Sequence, residues 1–315
     1  MRQLIKAEQA FPFMRYRWWA WIISGILVVA SIVSLGVKGL NWGLDFTGGT
    51  VIEVGYDQAA DLSSIRQTLD ENGFGGAVVQ SFGTQQDVLI RLEPLEGVKV
   101  QELGDQVLKV LQSAADANVE LRRIEFVGPH VGDELAEQGG LAVLAALTGI
   151  LIYIAMRFEW RLSLGAVGAL GHDVILTLGL FSILGLEFDL TVLAAVLAVI
   201  GYSINDSVVI SDRIRESFRK FHRGTPEEII NEALTSTLSR TVVTSLTTIL
   251  VLIALYVLGG QLIRGFATAL LFGVVVGSYS SVFIGSSLAL ALGVSREDLM
   301  PPEVEKEGED LEPMP

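Results

Sequence analysis

Six long apolar stretches dominate the chain, at residues 18–37, 139–156, 162–184, 190–210, 242–258 and 266–292. A helix needs about 20 mostly apolar residues to cross the hydrocarbon core of a bilayer. Lipid offers the backbone no hydrogen-bond partners, so such segments can enter only as helices. The sequence therefore predicts a membrane α-helical protein with six transmembrane helices. The first stretch is too long for a cleaved signal peptide and has no small-x-small site after it, so it reads as a retained anchor.

Charge is distributed unevenly. Only 18% of residues are charged, against about 25% in an ordinary soluble domain, yet the net charge is −14 and mean hydropathy +0.51. The acids collect in residues 38–138, with 17 acidic and 7 basic residues, and in 295–315, with 8 and 2. This pattern excludes a uniform soluble enzyme and a disordered chain. The absence of Cys excludes a disulfide scaffold. Nucleic acid is excluded as a main partner because its recognition rests on basic surface. Lys and Arg crowd the short flanks 1–17, 157–161 and 211–240. By the positive-inside tendency, both termini are expected in the cytoplasm and 38–138 outside.

The expected organisation is a cytoplasmic N-terminus at 1–17, helix one at 18–37 and a periplasmic domain at 38–138. A five-helix membrane domain at 139–292 follows, with a cytoplasmic loop at 211–240, then an acidic, disordered tail at 293–315. Within 38–138 the periodicity reads as strand 50–56, helix 61–72, strands 77–82 and 87–92, helix 100–114 and strand 118–127. This β-α-β-β-α-β order predicts a ferredoxin-like α+β domain. The apolar phase shifts between Leu121 and Ile124, a sign of a bulge. No catalytic constellation stands out, and the chain reads as no enzyme. In the loop, Thr225-Pro226-Glu227-Glu228 has the form of a capping box.

Ionisable residues inside the spans are costly, about 2.5–3.5 kcal/mol each on insertion scales, so each is a functional candidate. Asp206 sits in the fourth stretch, with Tyr202 and Ser203 expected on its helix face and Asn205 beside it. It is either a helix-end acid reaching for water or a protonatable carboxylate in a polar cavity. Arg240, followed by Thr244, is either a positive-inside anchor or a partner for Asp206. His172 and Asp173 form a second polar spot; adjacent residues do not share a helix face, which suits hydrogen bonds to neighbouring helices better than a metal. Glu187 and Asp189 fall in a short outer link and read as solvated, and Asp212 as surface-paired. Small residues such as Gly165, Gly168, Gly273 and Gly277 predict close helix contacts. There is no phosphate-binding loop and no metal-ligand motif. No cofactor is expected, and the intramembrane charges point to an ion gradient as energy source.

Four segments carry a family resemblance: Asn41-Trp42-Gly43-Leu44-Asp45-Phe46-Thr47-Gly48-Gly49-Thr50, Phe126-Val127-Gly128-Pro129, Phe158-Glu159-Trp160-Arg161, and Gly201-Tyr202-Ser203-Ile204-Asn205-Asp206-Ser207 with Asp212-Arg213-Ile214-Arg215-Glu216. Together they resemble the SecF branch of the SecD/SecF family, over nearly the whole chain. The resemblance implies an RND-type half transporter in the bacterial inner membrane. It implies SecD as partner, along with the SecYEG channel, YajC or YidC, membrane lipids and unfolded exported chains. It also implies that protons pass by Asp206 and Arg240, that the proton motive force drives late steps of translocation, and that Gly43, Asp45, Phe46, Thr47, Gly48 and Gly49 are signature residues. A non-transporting assembly scaffold and half of a small-molecule RND efflux pump are the alternatives.

Overall fold

A computed structural model describes residues 10–92, 100–114, 118–221 and 223–299. Six of its helices are long and apolar enough to span a membrane. The chain enters through a 3-10 turn and α1 (Arg17–Val37), then β1 (Asn41–Trp42) and the short α2 (Leu44–Thr47). The domain between the first two spans, called the outer domain after the side on which it is expected, follows as β2 (Gly49–Tyr56), α3 (Leu62–Glu71), β3 (Val78–Phe82), β4 (Thr84–Leu92), α4 (Val100–Ala114) and β5 (Val119–Val127). Next come α5 (Pro129–Arg157), α6 (Trp160–Leu184), β6 (Glu187–Phe188), α7 (Leu190–Lys220) and α8 (Pro226–Leu258). The sixth span is α9 (Gln261–Ser280), a π turn (Ser281–Gly285) and α10 (Ser286–Ala291), with a last short α11 (Arg296–Leu299).

The outer domain has the expected fold. Its four strands lie in the order β3-β4-β2-β5, every neighbour antiparallel, with α3 and α4 on one face. Ile52, Val54, Val88 and Ile90 of the two central strands meet Leu69, Val107 and Leu111 of the helices, all fully buried. The Asp61 carboxylate accepts the N–H groups of Ser63 and Ser64 and starts α3. The phase shift in β5 is a bulge: Glu53 pairs with Arg123 and Val54 with Leu121, leaving Arg122 as the extra residue. β4 begins earlier than its apolar pattern, because Gly83 alone turns the chain at φ +80° and Thr84 already pairs with Phe82.

In the membrane domain, α6, α7 and α9 are central and α1, α5 and α8 peripheral. Half of the most apolar stretch of α6 and of α7 is buried inside the protein, against 11% for α5 and α8. The small residues act as expected: a Cβ on Gly273 would lie 2.2 Å from Val199, and one on Gly165 would lie 2.5 Å from the Gly285 carbonyl oxygen. The loop 211–240 is mostly helix, since α7 and α8 run through it and only residues 221–225 separate them. Thr225 and Glu228 form the capping box. Asp212 is paired at the surface with Arg157 and Arg215.

Two expectations need correction. α5 starts at Pro129, well before its apolar run, because the polar turns after Gly128 are helical too. The tail is ordered at its start: Val294 and Leu299 are buried, Arg219 Nε donates to the Leu299 carbonyl at 2.7 Å, and Arg161 pairs with Asp298. Two apolar anchors and two arginines hold this segment in an otherwise acidic stretch. Residues 300–315 of the expected disordered tail, and Arg2 and Lys6 of the N-terminus, lie outside the described residues.

Candidate functional site

α7 carries one acid between the helices and α6 another. Asp206 is buried, and Thr241 of α8 donates to its Oδ1 at 3.0 Å. Its Oδ2 is also buried and has no hydrogen-bond partner among the described residues. Arg240 precedes Thr241 on α8, is exposed, and makes no ion pair with Asp206 among the described residues. Thr241 thus bonds the Asp206 side chain directly, and Arg240, one residue before it, acts on that carboxylate through its charge without a direct bond among the described residues. One turn toward the outer side, Tyr202 Oη donates to Ser245 Oγ at 3.1 Å, and Ser245 meets Ser278 of α9 at 2.6 Å. Ser207 meets Ser281 at 2.9 Å.

Asp173 is fully buried and fully engaged. Ser203 of α7 and Ser280 of α9 both donate to its Oδ2, at 2.5 and 2.7 Å. Its Oδ1 lies 2.9 Å from His172 Nδ1. Adjacent side chains on one helix do meet here, contrary to the sequence expectation, and both are buried in the helix interface. His172 Nε2 is buried without a partner among the described residues. The π turn that follows Ser280 brings Ser281 to Ser207; single π turns inside helices recur at functional sites. Asn205 and Thr244 do not join either cluster. Asn205 is exposed, and the Thr244 hydroxyl bonds back to the Arg240 and Thr241 carbonyls.

The two acids differ in what they can do. Asp173 has every oxygen occupied, so its carboxylate pins α6, α7 and α9 together. Among the described residues Asp206 has one donor and one bare oxygen, so it can take a proton without breaking an existing bond.

The signature segment lies at the outer end of the same helices. β1 and β6 pair in parallel, Asn41 opposite Glu187 and Trp42 opposite Phe188. Gly43 N donates to Phe188 O at 2.9 Å, and a Cβ on Gly43 would lie 3.0 Å from that of Asp189. The Asp45 carboxylate accepts the N–H of Leu190, first residue of α7, at 3.0 Å, while Asp189 caps Val192 N at 2.8 Å. Phe46 packs on Trp42 and Phe188, and the Thr47 hydroxyl donates to Gly43 O. Gly48 and Gly49 adopt φ +65° and +115°, which favour glycine, and turn the chain into β2. Glu187 and Asp189 are therefore structural rather than merely solvated. Arg91 of β4 donates to Glu187 Oε1 at 2.5 Å and to Trp42 O at 2.7 Å. Burial holds the Glu187 carboxyl above its ordinary range, with Arg91 opposing the shift.

This architecture, six helices long and apolar enough to span a membrane with a ferredoxin-like domain after the first and acids on the third and fourth, is that of a multi-pass membrane protein and agrees with the RND-type half-transporter fold that the resemblance implies. The family model "Protein export membrane protein SecD/SecF, C-terminal" matches residues 106–295, and the model "SecD/SecF GG Motif" matches 33–60. The chain is 54% identical over 315 residues to the protein translocase subunit SecF of Vibrio alginolyticus, covering 100% of both chains. It is 50% identical over 311 residues to that of Escherichia coli O157:H7, covering 98% of this chain and 96% of the relative. The crystal structure of SecDF, a translocon-associated membrane protein from Thermus thermophilus, superimposes with a TM-score of 0.82 at 36% identity over 92% of this chain. This chain spans 39% of that longer one. The chain belongs to the SecF family of bacterial protein translocase subunits.

Proposed function

We propose that this SecF-family chain assembles with SecD in the bacterial inner membrane, with both termini cytoplasmic, and uses the proton motive force to drive late steps of protein translocation. The Lys and Arg of the flanks support the orientation. The SecDF neighbour, a chain that this one matches over only part of its length, supports the partnership with SecD. SecYEG, YajC or YidC, and unfolded exported chains are the further partners in this reading. The protein converts a gradient into movement and is not an enzyme.

One observation carries the proton role: Asp206, buried between spanning helices, with a single hydroxyl donor and a bare second oxygen. Protonation there removes a charge from a low-dielectric interface and changes how α7 and α8 attract each other. Each charge crossing the potential supplies about 2.3 kcal/mol per 100 mV, enough for more than a tenfold shift of a two-state element. The bond from Thr241 also ties α7 to α8, which favours the scaffold as a second reading.

Asp206→Asn separates the two. In vesicles containing the complete complex, the variant is expected to assemble with SecD but lose gradient-dependent export. Normal export by Asp206→Asn rejects the proton role and leaves the scaffold. The efflux alternative is disfavoured by full-length relatives that are protein translocase subunits.

A further inference from the structure

The outer domain meets the membrane helices along α5, which runs on from β5 and packs on the signature segment, and at a polar contact with the start of α7. Arg91 lies near the end of β4, a strand paired on both sides, with Val51 of β2 and with Val78 of β3. Its guanidinium forks: one nitrogen reaches the Glu187 carboxylate and the other the Trp42 carbonyl. Its side chain is only 14% exposed. Glu187 belongs to β6, three residues before α7 begins, and Asp45 closes the first N–H of that helix from the domain side. Sheet, signature segment and the start of α7 thus form one hydrogen-bonded block. Asp206 lies 16 residues further along the same unbroken helix, about 24 Å at 1.5 Å per residue.

We infer that Arg91 is a positioning residue for transport, the joint through which the outer domain follows the movement of α7. The inference rests on the reading that Asp206 drives that movement. A helix is stiff along its axis, so a shift at Asp206 reaches Leu190 undiminished. From there it passes to the sheet through groups that grip both sides, and among the described residues the Arg91 guanidinium is the one that bonds β4 directly to β6. The planar fork of Arg suits this, because it holds a carboxylate and a carbonyl in one fixed plane. The charged groups that act on Glu187 are Arg91, Asp189 and Asp45, so the Arg91 guanidinium sits among three acids at the joint, and Arg123 and Arg264 line the same groove.

The test uses the full complex in vesicles and compares export with and without an imposed proton gradient. Arg91→Met is expected to cut the gradient-dependent increment about five-fold or more, while gradient-independent export and the yield of complex stay unchanged. Arg91→Lys is expected to recover only part of the increment, since one ammonium cannot hold both oxygens in the same plane. Glu187→Gln, a milder change, should fall between Arg91→Met and the unsubstituted protein. A full increment in Arg91→Met, or complete rescue by Arg91→Lys, overturns the joint. Asp206→Asn in the same vesicles separates the two ideas. If Asp206→Asn loses the increment and Arg91→Met keeps it, the joint alone fails. If Asp206→Asn keeps it and Arg91→Met loses it, the joint stands and the driver lies elsewhere.

Discussion

Ser280 Oγ lies 2.7 Å from Asp173 Oδ2, on the last residue before the sixth span widens into its π turn. Ser203 shares that oxygen, so one carboxylate gathers three helices. Asp173→Asn keeps the shape, and serine hydroxyls can turn; Ser280 already has the Gly277 carbonyl at 3.1 Å. Asp173→Leu strands the donors in an apolar interior, at about 1–3 kcal/mol each. The yield of detergent-extracted complex is expected to stay near normal for Asp173→Asn and to fall severalfold for Asp173→Leu. Equal yields defeat the pinning role.

Two glycines of α6 predict a ranking. A Cβ on Gly165 would meet the Gly285 carbonyl oxygen at 2.5 Å, and one on Gly168 would meet Leu288 Cδ2 at 2.7 Å. Backbone cannot step aside, whereas the end of a leucine can turn. Overpacking costs about 1–3 kcal/mol, and Gly165→Ala should carry the larger share. Apparent melting temperatures of the purified complex are expected to fall more for Gly165→Ala than for Gly168→Ala, and the reverse order contradicts the packing described.

Arg240 lies beside the residue that holds Asp206 and is itself exposed. An arginine that only anchors the helix end in the headgroup region is replaceable by lysine. One that pairs with Asp206 at another stage of the cycle is not, because lysine lacks the planar fork. Gradient-dependent export is expected to be lost in Arg240→Met and only partly recovered in Arg240→Lys. Full recovery assigns Arg240 to anchoring.

Glu187 gives a pH dependence with a definite sign. Burial raises its folded-state value above the unfolded carboxyl, so the folded protein holds that proton more tightly. Stability contributed by the protonated form is present below the ordinary value, about 4.3, and is lost as pH rises toward the raised one. Glu187→Gln mimics the protonated form. The unsubstituted protein should therefore lose melting temperature relative to Glu187→Gln as pH climbs through that window. Replacing Arg91 with Met removes the opposing cation and should widen the gap. A gain relative to Glu187→Gln with rising pH would falsify this account.

Much of this structure was legible in the sequence because it depends on neighbours. Helix 100–114 follows from its own apolar stripe, the bulge at Arg122 from a break in alternation, and the cap at Thr225 from four consecutive residues. The acids inside the spans announce themselves by their cost. The joint does not, because its partners are far apart in the chain: Arg91 and Glu187 are 96 residues apart, and Asp45 and Leu190 are 145 apart. Strands of two residues show no alternation, so β1 and β6 leave no periodic trace, and Glu187 reads as an ordinary loop acid. The same limit applies to His172 and Asp173. Their contact follows from the packing of α6 against α7 and α9, not from helical spacing.

The pairing of Asn41 with Glu187 also sets an order of assembly. The outer sheet needs nothing beyond Val127 and can close as soon as that strand has emerged. Its seat on the membrane helices needs residue 187, two spanning segments later. At about 5–20 residues per second, the finished domain waits roughly 3–12 s before that seat exists. The signature segment is made early but completed only by the newest helix. A chain truncated before β6 would therefore carry a folded outer domain that leans on α5 alone and lacks its hydrogen-bonded seat on β6 and α7.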